Sequence, residues 1–187
     1  MAKPRTKIKY TYQDYKSLPE SEAERYELLE GELVMVPSPS FEHQRISGNL
    51  EFLLRNFVQQ NDLGIVLDAP FDVHFIEEGE DKVAQPDILY VSKERSHVIT
   101  EEEIRGAPDL VVEILSPGTA ERDRGYKKTL YARHGVVEYW LVDPEAKTVE
   151  VFAQGEQGFE TVRVYQRSEV LNSPLLKGLE IDLQEVF

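Results

Sequence analysis

Two carboxylates punctuate apolar runs in this chain, and a lysine follows them. Asp87 opens the run Asp87-Ile88-Leu89-Tyr90-Val91, preceded by Gln85-Pro86. Glu113 lies within Pro108-Asp109-Leu110-Val111-Val112-Glu113-Ile114-Leu115, and Lys127 ends the stretch Asp123-Arg124-Gly125-Tyr126-Lys127. Two acids on neighbouring strands can hold a divalent cation through hard oxygen ligands. A lysine beside them can neutralise a developing anion. The chemistry that suits this combination is metal-dependent hydrolysis of a phosphodiester.

Each residue also has a plainer reading. Side chains alternate along a strand, so Asp109, Val111, Glu113 and Leu115 share a face. A carboxylate inside so apolar a run is costly unless it is paired or binds a metal. The alternative is a Glu113 exposed on a half-solvated sheet or bridged to Lys or Arg. Asp87 alone reads as a strand-end turn acid, and only its pairing with Glu113 promotes it. On a helix, Lys127 has Asp123, Leu130 and Tyr131 as near neighbours. That mixed stripe suits a helix edge overhanging a site, or an exposed Asp123–Lys127 ion pair. Lys128, beside Arg124 and Ala132, is expected to face water. His43 falls in the first turn of a helix that Ser40 can cap, as a surface residue or a proton carrier. Glu27 and Glu30 can approach the same cleft. His74, His97 and His134 show no partner pattern.

The elements that must position these residues follow from periodicity and breakers. Tyr12 to Leu18 reads as a short helix stopped before Pro19. Tyr26 to Val36 is a strand region turning at Gly31. Apolar residues Ile46, Leu50, Leu53, Leu54, Phe57 and Val58 recur at helical spacing and predict a helix from Phe41 to Gln60. Strands are expected at Gly64 to Leu67, Phe71 to Ile76 and Asp87 to Val91, and a helical turn at Ile99 to Ile104. Leu110 to Leu115 reads as a strand buried on both faces. Ser116-Pro117-Gly118-Thr119 breaks it before a helix from Ala120 to His134, which Gly135 ends. Val137 to Val142 is a second buried strand. The unit from Leu110 to Val142 is then a parallel crossover. A hairpin around Gly155 to Gly158 and a short strand with a docking tail complete an α/β sheet with a helix on each face, or its α+β equivalent.

Bulk properties narrow the function. The 187 residues suit one domain, carrying a basic N-terminal arm of Lys3, Arg5, Lys7 and Lys9. With no cysteine, disulfides, thiolate metal sites and a cysteine nucleophile are excluded. Any metal would bind oxygen or imidazole, which favours magnesium or manganese. No apolar run reaches the ~20 residues of a membrane span, and no signal-peptide core is visible, so the cytoplasm is the default location. A net charge of −14 argues against broad non-specific binding to nucleic acid. No glycine-rich phosphate loop, Gly-x-Ser-x-Gly elbow or His-Glu-x-x-His pattern is present.

Three blocks resemble the PD-(D/E)XK, restriction-endonuclease-like superfamily, and most closely a widespread bacterial family of restriction-endonuclease-like proteins. They are Tyr26-Glu27-Leu28 through Gly31 with Pro37 and His43; Gln85-Pro86-Asp87-Ile88; and Pro108 to Pro117 followed by Asp123, Lys127, Tyr131, Gly135 and Glu138-Tyr139-Trp140-Leu141-Val142-Asp143-Pro144. The resemblance implies a mixed central sheet flanked by helices, with additional antiparallel hairpins. It implies an endonuclease that uses Mg²⁺ or Mn²⁺, with DNA as the expected substrate and a homodimer as a candidate assembly. Asp87 matches the motif's first acid and Glu113 its second. Asp109 is too close to Glu113 to be the first. The metal would bind Asp87, Glu113 and the backbone carbonyl of Ile114. Leu115 stands where the motif's lysine belongs, and Lys127 is the matching replacement. His43, Glu27 and Asp123 are auxiliary candidates. The alternative is a non-catalytic nucleic-acid- or protein-binding module on a degenerate nuclease fold.

Overall fold

A computed structural model describes residues 9–19 and 24–187. Most of the basic arm expected at the N-terminus lies outside these residues. The centre of the molecule is a six-stranded mixed sheet in the order β11-β10-β9-β8-β6-β3. Its strands are β3 (Gly64–Asp68), β6 (Ile88–Ser92), β8 (Leu110–Ile114), β9 (Glu138–Asp143), β10 (Thr148–Gly155) and β11 (Gly158–Gln166). Only β8 and β9 run parallel; the other neighbours are antiparallel. A second sheet, β2-β1-β5-β4-β7, comprises β1 (Arg25–Leu29), β2 (Glu32–Val36), β4 (Asp72–Phe75), β5 (Lys82–Ala84) and β7 (Glu103–Arg105). A small ribbon of β12 (Val170–Asn172) and β13 (Glu180–Asp182) precedes the terminal helix α5 (Leu183–Val186).

Every residue of β8 is buried, because both faces of the strand are covered. Leu110, Val112 and Ile114 point to one core with Ile46, Leu50, Leu54 and Val58 of α2 (Phe41–Gln60). Val111 and the following Leu115 point to the other, with Leu130 and Tyr131. Burying each such side chain stabilises the fold by roughly 1.5–3 kcal/mol. The apolar stripe of α2 therefore docks that helix on one face, and its start is fixed by Ser40, whose hydroxyl accepts the His43 amide at 3.2 Å. Val186 and Phe187 close the same core beside α2.

The crossover helix on the opposite face is not a uniform α-helix. A short α3 (Ala120–Arg122) runs into a π-helical turn (Asp123–Lys127) and then α4 (Lys128–His134), with Gly135 in the left-handed conformation at its end (φ 87°). Such wide turns concentrate at functional sites.

Three local expectations need correction. Ile99 to Ile104 is not a helical turn. A 3₁₀ segment lies earlier, at Lys93–Val98, and the chain re-enters a sheet at Glu103. Tertiary partners override the acidic pattern there. Glu103 is buried and accepts hydrogen bonds from Tyr12 Oη at 2.6 Å and Arg105 Nε at 3.1 Å, with His74 Nδ1 3.4 Å away. Lys128 does not simply face water; its ammonium sits 3.7 Å from the centre of the Phe152 ring. The short β5 has no counterpart in the sequence reading, since Lys82 reads as polar yet is buried against Glu77.

Candidate active site

The site forms where three elements meet. β6 and β8 are antiparallel with Ile88 opposite Val112. Asp87 immediately precedes β6, and it lines the same cavity as Glu113 of β8. Asp87 Oδ2 accepts the Ile114 amide at 2.7 Å, which locks the acid to the end of β8. The Nε2 of His43, in the first turn of α2, lies 3.3 Å from the same oxygen. Burial alone would lower the His43 pKa. Its hydrogen bond to Asp87, the Asp87 charge and the Ile114 backbone outweigh that and raise it.

The third element is the π turn, which directs Asp123 and Lys127 inward together; both are buried. Lys127 Nζ lies 2.9 Å from Glu113 Oε1, 2.7 Å from Glu27 Oε1 and 3.7 Å from Asp123 Oδ1. Tyr131, one turn on, donates to the same Glu113 oxygen at 2.5 Å. Glu113 Oε2 takes part in neither bond. Glu27 comes from the middle of β1 and is held by the Gln85 amide at 2.9 Å, so the second sheet supplies one wall.

Electrostatics follow from burial. Burial pushes the Glu113 carboxyl well above its ordinary range; Lys127 opposes this, while Asp123, Asp87 and Glu27 add to it. Asp123 is raised for the same first reason. Burial opposes the charge on Lys127, but Glu113, Glu27 and Asp123 outweigh it and hold its pKa above the usual value. Three carboxylates within 3.7 Å thus favour the charged form of Lys127.

These groups line one cavity of about 600 Å³. Six of the acidic or basic candidates from the sequence reach it: Asp87, Glu113, Lys127, His43, Glu27 and Asp123. Glu30 does not; it occupies the β1–β2 turn with φ 52°. Asp109 is elsewhere too, accepting the Ser92 amide at 2.7 Å and facing Arg95. Sequence reasoning missed Tyr131 as a partner of Glu113, although its place four residues after Lys127 was a signal. It also missed Arg25 and Arg122, which line the cavity.

The donor set can be tested against a metal. Asp87, Glu113 and the Ile114 carbonyl are hard oxygen donors, as Mg²⁺ and Mn²⁺ require. Asp123 Oδ1 is buried without a hydrogen-bond partner. Among the described residues, no group of three or more His, Asp or Glu is gathered as a ready-made metal cage. Mg²⁺ commonly binds through one or two carboxylates, completed by water and substrate phosphate. The residues fit that mode.

The mixed sheet, with a helix packed on each face and the acids on adjacent strands, has the restriction-endonuclease-like fold. The chain belongs to the Uma2 family, described as "Putative restriction endonuclease", whose model matches residues 12–184. It is 27% identical over 164 residues to the uncharacterized protein slr1290 of Synechocystis sp., covering 87% of this chain and 84% of that protein. A crystal structure described as a putative nuclease belonging to DUF820, from Anabaena variabilis, superposes with a TM-score of 0.77 at 24% identity, over 95% of this chain and 97% of that one. That likeness shows the fold. Among the described residues, no helix is long and apolar enough to cross a membrane.

Proposed function

We propose that this protein is a metal-dependent nuclease that hydrolyses phosphodiester bonds, with DNA as the leading substrate. One observation carries the reading. Four carboxyl groups, those of Glu27, Asp87, Glu113 and Asp123, line a single cavity around the ammonium of Lys127. Lys127, Arg122 and His43 answer part of this charge, and gathering four carboxyl groups in one place remains costly unless they are paired. A divalent cation at Asp87 and Glu113 would lower that cost.

Asp87, Glu113 and the Ile114 carbonyl would hold Mg²⁺ or Mn²⁺. When bound, that ion supplies Lewis acidity at the phosphate. The protein's own groups supply the rest. Lys127 carries positive charge, suited to an anion that develops on the phosphate oxygens. Glu27 and Tyr131 position it and Glu113: Glu27 holds the ammonium, and Tyr131 fixes the carboxylate rotamer. His43, with a raised pKa and contact to Asp87, is placed to hold or release a proton at Nε2. Lys127, from the following helix, would then serve in place of the lysine that the motif carries where Leu115 stands in this chain.

The test is Glu113→Gln, assayed with Mg²⁺ and Mn²⁺ on several nucleic acids. Cleavage should disappear while the thermal melt stays cooperative. Undiminished cleavage would remove Glu113 from the site. Absence of cleavage and of metal binding by the wild type would favour the non-catalytic module.

A further inference from the structure

The two large sheets meet along a seam, and the acids of the cavity come from both sides of it. β5 of the second sheet ends at Ala84 and β6 of the central sheet begins at Ile88, so Gln85, Pro86 and Asp87 are the whole link between them. A second link, Ala69 to Phe71, joins β3 of the central sheet to β4 of the other. The two links touch, because the Ala69 amide donates to the Asp87 carbonyl at 3.0 Å. Glu27 stands on the second sheet, while Glu113 belongs to the central one. What fixes the links therefore bears on the spacing of these acids.

Gln85 fixes them with both of its amides. Its backbone N–H donates to Glu27 Oε1 at 2.9 Å, and the same oxygen takes the Lys127 ammonium at 2.7 Å. Its side-chain Nε2 donates to Asp72 Oδ1 at 2.8 Å, where the second link ends. An ionised carboxylate only accepts, so the amide must turn its NH₂ toward Asp72. Tyr15 of helix α1 (Tyr12–Lys16) donates to that same Asp72 oxygen at 2.9 Å, and its hydroxyl lies 3.2 Å from the Tyr26 carbonyl, next to Glu27. Tyr12 pins α1 itself, with its ring stacked on His74 at 3.9 Å and its hydroxyl on Glu103. Tyr15 and Asp72 lie outside the cavity wall, whereas Gln85 lines it. A connected path thus runs from α1 through Asp72 and Gln85 to Glu27, Lys127 and Glu113.

We infer that Gln85 is a positioning residue: clamped across the seam by Asp72 and Tyr15, it fixes Glu27 and, through Glu27, the ammonium of Lys127 against Glu113. The catalytic consequence rests on the nuclease reading above. A misplacement of about 1 Å in such a site can cost about a hundredfold in rate. Lys127 answers charge that develops in the transition state, so the loss falls on kcat and spares KM.

Asp72→Leu and Gln85→Met each break the clamp, whereas Asp72→Asn keeps an acceptor oxygen for both donors. Two readouts are taken well below the melting temperature: amide hydrogen exchange at position 85 by NMR, and cleavage kinetics in Mn²⁺. In the two disruptive variants exchange at position 85 should quicken by about tenfold or more, the scale of one lost hydrogen bond. Their kcat should fall by about ten- to a hundredfold, with KM within about twofold of wild type. Asp72→Asn should stay near wild type in both readouts. Tyr15→Phe removes only a hydroxyl, should show the same pattern in milder form, and serves if a disruptive variant does not fold. Glu138→Ala, which loses bonds from Trp140 and Leu175 away from the cavity, should lower the melting temperature and move neither readout. Wild-type exchange in Asp72→Leu and Gln85→Met, equal losses in Asp72→Asn, or an equal kcat loss in Glu138→Ala overturns the inference. If the wild type cleaves nothing yet exchange at position 85 follows this pattern, hydrolysis is refuted and the positioning of Glu27 stands. If the wild type cleaves and the disruptive variants keep its kcat, hydrolysis stands and this inference is refuted.

Discussion

Replacing Lys127 by methionine removes the charge and keeps an unbranched side chain of similar length. In the native structure the ammonium makes ion pairs of 2.7 and 2.9 Å with Glu27 and Glu113, and a looser one of 3.7 Å with Asp123. Removing one partner of a buried ion pair typically costs about 3–5 kcal/mol, because the remaining charge is left uncompensated. At about 2–4 °C per kcal/mol for a chain of this size, the melting temperature at neutral pH should fall by about 6–20 °C. The deficit must also depend on pH. The wild-type lysine has a folded pKa above its ordinary 10.5, so its contribution is complete below that value and is lost only as pH rises through the folded one. In the variant the acids dominate. Glu113 and Asp123 are already raised by burial above 4.5 and 3.8, and loss of Lys127 removes the effect that lowers them. The folded variant then holds protons that the unfolded chain has released, and its stability falls as pH rises above the ordinary carboxylate range. Thermal melts of both proteins at about pH 5 and about pH 8 should show a small gap that widens. A variant that melts within about 2 °C of wild type at pH 8, or a gap independent of pH, would refute the electrostatic account.

Other perturbations probe separate parts of the structure. Tyr131→Phe deletes one hydrogen bond to the Glu113 carboxylate and should cost about 1.5–3 kcal/mol in a urea melt, with reduced cleavage. Glu138→Ala orphans Trp140 Nε1 and the Leu175 amide, each worth about 1–3 kcal/mol when buried, removes the acceptor of the Ser173 hydroxyl, and should lower the melting temperature by several degrees. Because burial raises Glu138 above 4.5 against those three donors, its charging weakens the fold as pH rises past that value, and Glu138→Ala should lose this slope. Gly64→Ala would place a Cβ 2.1 Å from the Val91 carbonyl oxygen, so the β3–β6 pairing should break and the soluble yield collapse.

Much of the architecture could be read from local patterns because local and tertiary forces agree there. The Ser40 cap and the stripe from Ile46 to Val58 defined α2 from Phe41 to Gln60. The β-branched run around Val111 announced a strand covered on both sides. The hairpin at Gly155 to Gly158 carried its own turn signal. Where long-range partners decide, the pattern misled. Glu103 looks like one of three solvated acids, and only contact with Tyr12, His74 and Arg105 explains its burial. The candidate site divides in the same way. Asp87 and Glu113 are conspicuous because carboxylates interrupt apolar strands. Glu27 and Arg25 are not, since their neighbours in the site lie some sixty to a hundred residues away along the chain.

The wide turn from Asp123 to Lys127 makes the reading frame of this helix a functional quantity. Gly125 sits at its centre, exposed, and a Cβ there would meet nothing within 4 Å. By every measure of side-chain contact it is expendable. Yet removal of that one codon would restore an ordinary helical pitch, and each residue of an α-helix turns its side chain by about 100°. Asp123 is anchored through Thr119 and Lys127 through the packing of Leu130 and Tyr131, so one of the two must swing out of register. Point mutation and single-residue deletion at Gly125 should therefore have opposite consequences: the first close to silent, the second inactivating in a chain that still folds.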